Sequence, residues 1–178
     1  MMIGDLETKT WWSYVHGDIK ELLMQSLLLV ETADQWESHI SETFGRGSIP
    51  KERFNDYSFI VFPAAKAYEG FLKKLFLDLD FITSDDYYGK HFRVGKALNP
   101  SLEKEIRLRE GVYDKIVTYC NGEELAQKMW LCWKEARNLV FHWFPNEKNA
   151  ISLIEAKDRV MMIIETMDMA FAACRVGK

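Results

Sequence analysis

Apolar residues recur at intervals of three and four along most of this chain, which is the spacing of helices that bury one face. The first such stretch begins at Asp18, where Asp18 and Glu21 have the spacing of a capping box, and it reaches Ile40. Residues 45–50 then hold two glycines and a proline, which end regular structure. The pattern predicts a long first helix, continuous or re-formed once, followed by a loop.

A second amphipathic stretch runs from Phe54 or Pro63 to Leu79, with Pro63 expected in its first turn or at a kink. Residues 83–100 follow without periodicity and are rich in Asp, Gly, aromatic and basic residues. Irregular connections of this length are uncommon unless they have a function or are mobile. We therefore expect a second helix and, after it, a lid or substrate-binding loop.

Two shorter helices are expected next. Asn99 and Pro100 have the order of a helix cap and a first helical residue, which predicts a charged helix from there to Arg109. Apolar residues within 112–119 predict another helix.

The last third of the chain predicts two longer helices. Asn121, with Glu124 three residues later, begins an apolar stripe that Pro145 ends. Ser152 and Glu155 form a capping box ahead of the final stripe. Together with the earlier stretches, these signals describe a chain that is helical from one end to the other.

No stretch alternates apolar and polar residues over the length of a strand, and no internal repeat is evident. The chain has 178 residues, of which 48% are hydrophobic, as expected for one packed domain. The sequence predicts a single-domain all-α bundle of five to seven helices. In it, residues 1–52 form a helical extension packed on the bundle of residues 53–178.

Cysteines and histidines are scattered without the spacing of a metal site, and no cofactor motif accompanies them. We expect the cysteines to be reduced core residues; they are Cys120, Cys132 and Cys174. No apolar run approaches the roughly 20 residues of a membrane helix, and the N-terminus does not have the pattern of a secretion signal. A soluble cytoplasmic protein without membrane, metal or cofactor partners is expected.

The clearest excess of basic residues lies between residues 90 and 109. The net charge of -4 argues against a protein that coats nucleic acid through a broad basic face, so any contact with RNA is expected to be local. The basic stretch fits a phosphate-binding patch or an ordinary solvated helix end and loop. Its RNA-binding candidates are Lys90, Arg93 and Lys96.

Arg137 and His142 lie five residues apart, near the end of the helix that Pro145 terminates. An ideal helix would separate them by about 140° of rotation and roughly 7.5 Å of rise. They are therefore expected to meet only if the last turn distorts or if a second copy of the chain contributes. Asn138 is one helical turn before His142, so its amide is expected to orient the imidazole.

Residues 137–142, which read RNLVFH, resemble the R-x-x-x-x-H motif of the HEPN superfamily. Its members are α-helical, and many are metal-independent ribonucleases that pair two copies so that their motifs line one cleft. The resemblance covers about residues 60–174. It implies an HEPN-like bundle and a homodimer with a composite active site.

Residues 67–75 and 95–102 are similar to the catalytic domain of RNase LS-type toxins, which cleave messenger RNA and are silenced by a small antitoxin protein. This similarity implies that Glu69 joins Arg137 and His142 as a third catalytic residue, with a small antitoxin as partner.

The sequence around Glu69 also permits a plainer interpretation. Lys73 is one helical turn on and is a candidate partner for Glu69, and an ordinary surface salt bridge fits the spacing equally well. Gly70 costs roughly 1 kcal/mol in a helix interior, which predicts that another helix or chain approaches closely there.

The resemblance implies a metal-independent endoribonuclease, the toxin of a toxin–antitoxin or defence system, and attack by the ribose 2′-hydroxyl would leave 2′,3′-cyclic phosphate ends. His142 would act as base or acid, and Arg137 would stabilise charge on the phosphorane. Candidates to stack on an unpaired base are Trp143, Phe144 and Tyr88, although core packing is the commoner role of aromatic residues. Two alternatives remain open: a non-catalytic HEPN-like module that binds a nucleotide or a partner protein, and a helical homodimer with a structural role.

Overall fold

The structure is a computed structural model that describes residues 3–44, 54–120, 122–143, 145 and 149–174. Every regular element in these ranges is helical, which confirms the predicted all-α bundle. The α-helices in the described ranges are, in chain order, α1 (Ile3–Glu7), α2 (Gly17–Phe44), α3 (Ser58–Asp78), α4 (Ser84–Tyr88), α5 (Val94–Ala97), α6 (Lys104–Glu110), α7 (Tyr113–Tyr119), α8 (Glu123–Trp133), α9 (Leu139–Phe141) and α10 (Leu153–Ala173). The described residues thus hold more helices than predicted, because several are too short for a hydrophobic period to be visible.

Helix α3 is the centre of the bundle. It makes its most extensive contacts with α2 and α10, and α10 also packs against α8. Apolar side chains from one face of each long helix form a single core with those of the N-terminal residues Leu6, Trp11 and Val15. The predicted long first and second helices are confirmed as α2 and α3, with Pro63 inside α3.

The close approach predicted at Gly70 is confirmed. A Cβ atom added there would lie 3.1 Å from Cδ1 of Ile19, so α2 and α3 meet where Gly70 leaves room. The capping box at the start of α10 is also confirmed: Ser152 Oγ accepts a hydrogen bond from the N–H of Glu155, and Glu155 Oε2 accepts one from the N–H of Ser152.

Residues 83–100 are not the irregular loop that their composition predicted. A capping box between Thr83 and Asp86 begins α4, and Val94 and Ala97 anchor α5 in the core. The helix expected from Asn99 begins instead at Lys104, because the side chain of Asn99 accepts a hydrogen bond from the N–H of Ser101. This local bond competes with helix formation.

Other predicted boundaries changed or lie outside the described residues. Asp18 lies in the first turn of α2, and its carboxylate accepts a hydrogen bond from the N–H of Ile19. Helix α8 begins at Glu123, after Gly122 with a φ of 91°. The loop predicted at residues 45–50 and the cap predicted at Asn121 fall outside the described ranges.

The prediction that all three cysteines are reduced is wrong for two of them. Cys120, after α7, and Cys174, after α10, form a disulfide, and both are buried. Their 54-residue separation in sequence concealed the pairing, since only the packing of α7 near the end of α10 brings them together. Cys132 is a buried free thiol whose pKa is raised to about 12 by burial.

Asp168 fastens the N-terminal segment to α10. Its carboxylate accepts hydrogen bonds from the indole N–H of Trp11, which is fully buried, and from the ammonium group of Lys9. The helices of the described ranges include none long and apolar enough to cross a membrane.

We expect Asp168→Ala to lower the free energy of unfolding by about 1–3 kcal/mol, because it leaves the buried indole N–H of Trp11 without an acceptor. Urea unfolding followed by tryptophan fluorescence measures this. Asp158→Ala, at an exposed position of the same helix, is the control and should change stability by less than about 0.5 kcal/mol. Equal effects of the two substitutions would contradict the role assigned to Asp168.

Candidate functional site

Arg137 lies in a π-helical turn, Lys134–Asn138, between α8 and α9. Such turns are rare and are frequent at functional sites. The guanidinium carbon of Arg137 lies 4.5 Å from the ring centroid of Trp133, in a cation–π contact. Because the Trp133 side chain is buried in the core, it gives Arg137 a rigid support.

Glu69 of α3 is the ionic partner of Arg137. Its Oε2 atom accepts a hydrogen bond from Nη2 of Arg137 at 2.9 Å, and the two side chains are 31% and 38% exposed. Lys73 instead donates to the backbone carbonyl of Tyr87 at 3.5 Å. The salt bridge that the spacing of Glu69 and Lys73 suggested is therefore not formed. Glu69 takes part in a contact between helices.

A cleft of about 610 Å³, which we call the Arg137 cleft, lies beside this ion pair. Cavities of roughly 300–1,000 Å³ are the usual size for small organic ligands. Three of the predicted RNA-binding residues line the cleft together with Glu69 and Arg137; they are Lys90, Arg93 and Lys96. Asn138, predicted to orient His142, lines it as well, so the structure brings six of the predicted site residues to one cavity.

Gly95 allows α5 to pack closely against Trp133, which positions the basic wall of the cleft, formed by Lys90, Arg93 and Lys96. It lies in α5 between Arg93 and Lys96, and a Cβ atom added there would lie 2.8 Å from Cε2 of Trp133. Only a glycine allows α5 to approach the indole this closely. The same ring therefore packs against α5 and supports Arg137.

His142 follows the last helical turn, with an extended backbone (φ -97°, ψ 133°). Its Nε2 atom is 3.0 Å from Oδ1 of Asn138, which confirms the predicted pair. Because an amide oxygen only accepts, this contact favours a proton on Nε2. The backbone carbonyl of His142 accepts a hydrogen bond from Nδ2 of Asn149 at 2.8 Å.

Arg137 and His142 line two different cavities within one chain. His142 lies in a cavity of about 520 Å³ that is also lined by Phe141 and Trp143, whereas Asn138 lines the Arg137 cleft. A distorted last turn was one of the two ways in which Arg137 and His142 were expected to meet. The turn is distorted, but it does not place these two side chains in one cavity. Asn138 connects the two cavities, since it lines one and contacts the histidine of the other.

The exposed rings of Phe141 and Trp143 line the His142 cavity, and Phe62 packs against Phe141. Trp143 is 80% exposed, and the rings of Phe62 and Phe141 meet edge to face with centroids 5.4 Å apart. Trp143, predicted to stack on a base, therefore lies beside His142 and away from the basic wall of the Arg137 cleft.

The cleft is also lined by Trp130, Trp133 and Asn99, which were not predicted as site residues from the sequence. The tryptophans lie on the apolar stripe of α8, where core packing is the ordinary expectation. A signal was available for Trp133, since it precedes Arg137 by four residues and helical neighbours at that spacing touch.

Comparison of the chain with protein-family models, curated proteins and solved structures gave no match. Within the described ranges, no group of three or more His, Cys, Asp or Glu side chains is arranged as a metal site.

Proposed function

We propose that this chain is a metal-independent endoribonuclease of the HEPN type, the toxin of a toxin–antitoxin or defence system. The observation that carries the proposal is the Glu69–Arg137 pair in a cleft that also contains Lys90, Arg93 and Lys96. An arginine fork among other cations suits the oxygens of a phosphodiester. This local concentration of positive charge stands out in a chain of net charge -4.

The proposed reaction is attack of a ribose 2′-hydroxyl on the adjacent phosphorus. His142 carries one of the two proton transfers, as base for the hydroxyl or as acid for the leaving 5′-oxygen, and water carries the other. Arg137 neutralises the charge that builds on the phosphorane. The products are a 2′,3′-cyclic phosphate and a 5′-hydroxyl. Glu69 holds the guanidinium in place through its 2.9 Å hydrogen bond.

The proposal includes a homodimer with a composite active site. Arg137 and His142 of one chain line different cavities, so a second copy can supply the missing group to each cleft. The exposed rings of Phe62, Phe141 and Trp143 beside His142 are of the kind found at protein interfaces. A small antitoxin protein is the proposed regulator.

The proposed location is the cytoplasm, where messenger RNA is the substrate. The Cys120–Cys174 disulfide argues against this location, because structural disulfides are rare in cytosolic proteins.

The proposal is tested by incubating the protein with end-labelled single-stranded RNA in EDTA and analysing the product ends. Cleavage to cyclic phosphate ends is expected. Intact RNA across several substrates would refute the ribonuclease.

Mixed dimers test the composite site. If each site needs Arg137 of one copy and His142 of the other, random mixing of inactive Arg137→Ala and His142→Ala chains places one intact site in half of the dimers. We expect about a quarter of wild-type activity to return. If the mixture stays inactive although mixed dimers form, the two residues act from the same chain.

A second candidate function is a non-catalytic nucleotide-binding module. It is favoured by the volume of the Arg137 cleft, about 610 Å³, because cavities of roughly 300–1,000 Å³ are the usual size for a small organic ligand. Binding of a nucleotide without RNA cleavage would support it.

A further inference from the structure

A second basic cavity adjoins the Arg137 cleft. This flanking cavity has a volume of about 370 Å³, and it shares Phe92, Arg93 and Lys96 with the cleft. Its far side is formed by Arg109 and Glu110 at the end of α6, with Lys115 of α7 nearby. The two cavities therefore lie side by side against α5, and we call them together the basic depression.

Positive charge is concentrated in this depression. Its lining holds six cationic side chains and three carboxylates, although acidic residues outnumber basic ones in the chain as a whole. The carboxylates of Glu69 and Asp86 are engaged, the first with Arg137 and the second in the capping box of α4. The remaining carboxylate, Glu110, lies between two of the cations.

Glu110 binds a different cation with each oxygen. Its Oε2 atom is 2.5 Å from Nζ of Lys96, and its Oε1 atom is 2.6 Å from Nη2 of Arg109. These hydrogen bonds, from Lys96 first and then from Arg109, lower the pKa of the Glu110 carboxyl. A lysine and an arginine that converge on one anionic group form an arrangement that also fits a phosphate.

The pair of cations is open to exchange of its anion. The Arg109 side chain is 75% exposed, and those of Lys96 and Glu110 are 43% and 37% exposed. Ion pairs this exposed contribute little free energy, so a phosphodiester can displace the carboxylate at small cost.

We propose that the flanking cavity is a second phosphate subsite, which binds the backbone of a single-stranded RNA beside the nucleotide held in the Arg137 cleft. Lys96 and Arg109 are its ligands, and Glu110 is the group that the phosphate displaces. The subsite rests on the proposed function for the identity of its ligand and extends it to a substrate longer than one nucleotide.

The test measures binding separately from cleavage. A fluorescein-labelled eight-nucleotide RNA with 2′-O-methyl groups cannot be cleaved through its 2′-oxygens, and its affinity is measured by anisotropy at several salt concentrations. Arg109→Gln should weaken binding about two- to fivefold and reduce the slope of log K against log salt by about 0.7, the value for one lost phosphate contact on a single strand.

Glu110→Gln should bind this RNA about two- to fivefold more tightly, because it removes the competing carboxylate. Glu105→Gln removes the same charge from an exposed position of α6 and is the matched control. The subsite is overturned if Arg109→Gln leaves both affinity and slope unchanged, or if Glu110→Gln binds no more tightly than Glu105→Gln.

A competition arm with 5′-AMP identifies the source of the phosphate. If AMP binding depends on Arg109 and Glu110 while binding of the oligonucleotide does not, the cavity belongs to a free nucleotide and the RNA subsite is overturned. If RNA binding depends on Arg109 and Glu110 but the RNA is not cleaved in EDTA, the subsite is supported and the proposed ribonuclease activity is refuted. If the protein cleaves RNA but its RNA binding does not depend on Arg109 or Glu110, the ribonuclease is supported and the subsite is overturned.

Discussion

His142→Ala is expected to lower the rate of RNA cleavage by about 10²- to 10⁴-fold, because it removes the proposed proton-transfer group. The measurement is the initial rate of cleavage of end-labelled RNA in EDTA at saturating protein. His142 is exposed, follows the last turn of α9 and contributes no buried side chain to the core. The variant should therefore unfold at nearly the same urea concentration as the wild type.

Two further variants show whether the loss is specific to His142. His39→Ala removes another exposed histidine, on α2, and should leave the rate unchanged. Asn138→Ala removes the amide that contacts Nε2 of His142, and should cost less than loss of the imidazole itself, about tenfold. If His142→Ala cleaves RNA as fast as the wild type, His142 has no part in the reaction.

Gly95→Ala is expected to damage both stability and activity. The added methyl group overlaps the indole of Trp133, and overpacking of this kind typically costs about 1–3 kcal/mol. If the ring moves, it takes with it the support of Arg137, whose guanidinium carbon lies 4.5 Å from its centroid. A shift of about 1 Å in a catalytic group can cost about 10²-fold in rate.

The two effects of Gly95→Ala are separated by measuring cleavage at a urea concentration well below the unfolding transition, where the variant is still folded. Gly17→Ala is the matched control, because a Cβ atom at Gly17 meets no atom within 4 Å. It should keep full activity and gain about 0.4–1 kcal/mol of stability. An active Gly95→Ala protein of unchanged stability would contradict the packing of α5 against Trp133.

The candidate site was only partly predictable from the sequence. Glu69 was proposed as a catalytic residue through a family resemblance, and its spacing alone suggested Lys73 as its partner. The structure pairs Glu69 with Arg137, which is 68 residues away. Which ion pair forms depends on how α3 packs against the π-helical turn that carries Arg137, and no local pattern contains that information.

The sequence by itself determined the elements that arise from interactions within a few residues. Amphipathic periodicity identified α2, α3 and α10, the Ser152 capping box marked the start of α10, and the four-residue spacing predicted the Asn138–His142 contact. These features succeed because a helix places residues three and four apart on one face, whatever the rest of the chain does.

Only the tertiary structure decided what the helices bring together. Three contacts join residues that are distant in sequence: the Glu69–Arg137 ion pair, the Cys120–Cys174 disulfide and the packing of Gly95 against Trp133. The short helices within residues 83–100 depend on the same packing, since isolated helices of four or five residues are unstable in water. The cleft exists because burial of apolar faces sets the distances between helices, and the polar residues at their edges meet as a consequence.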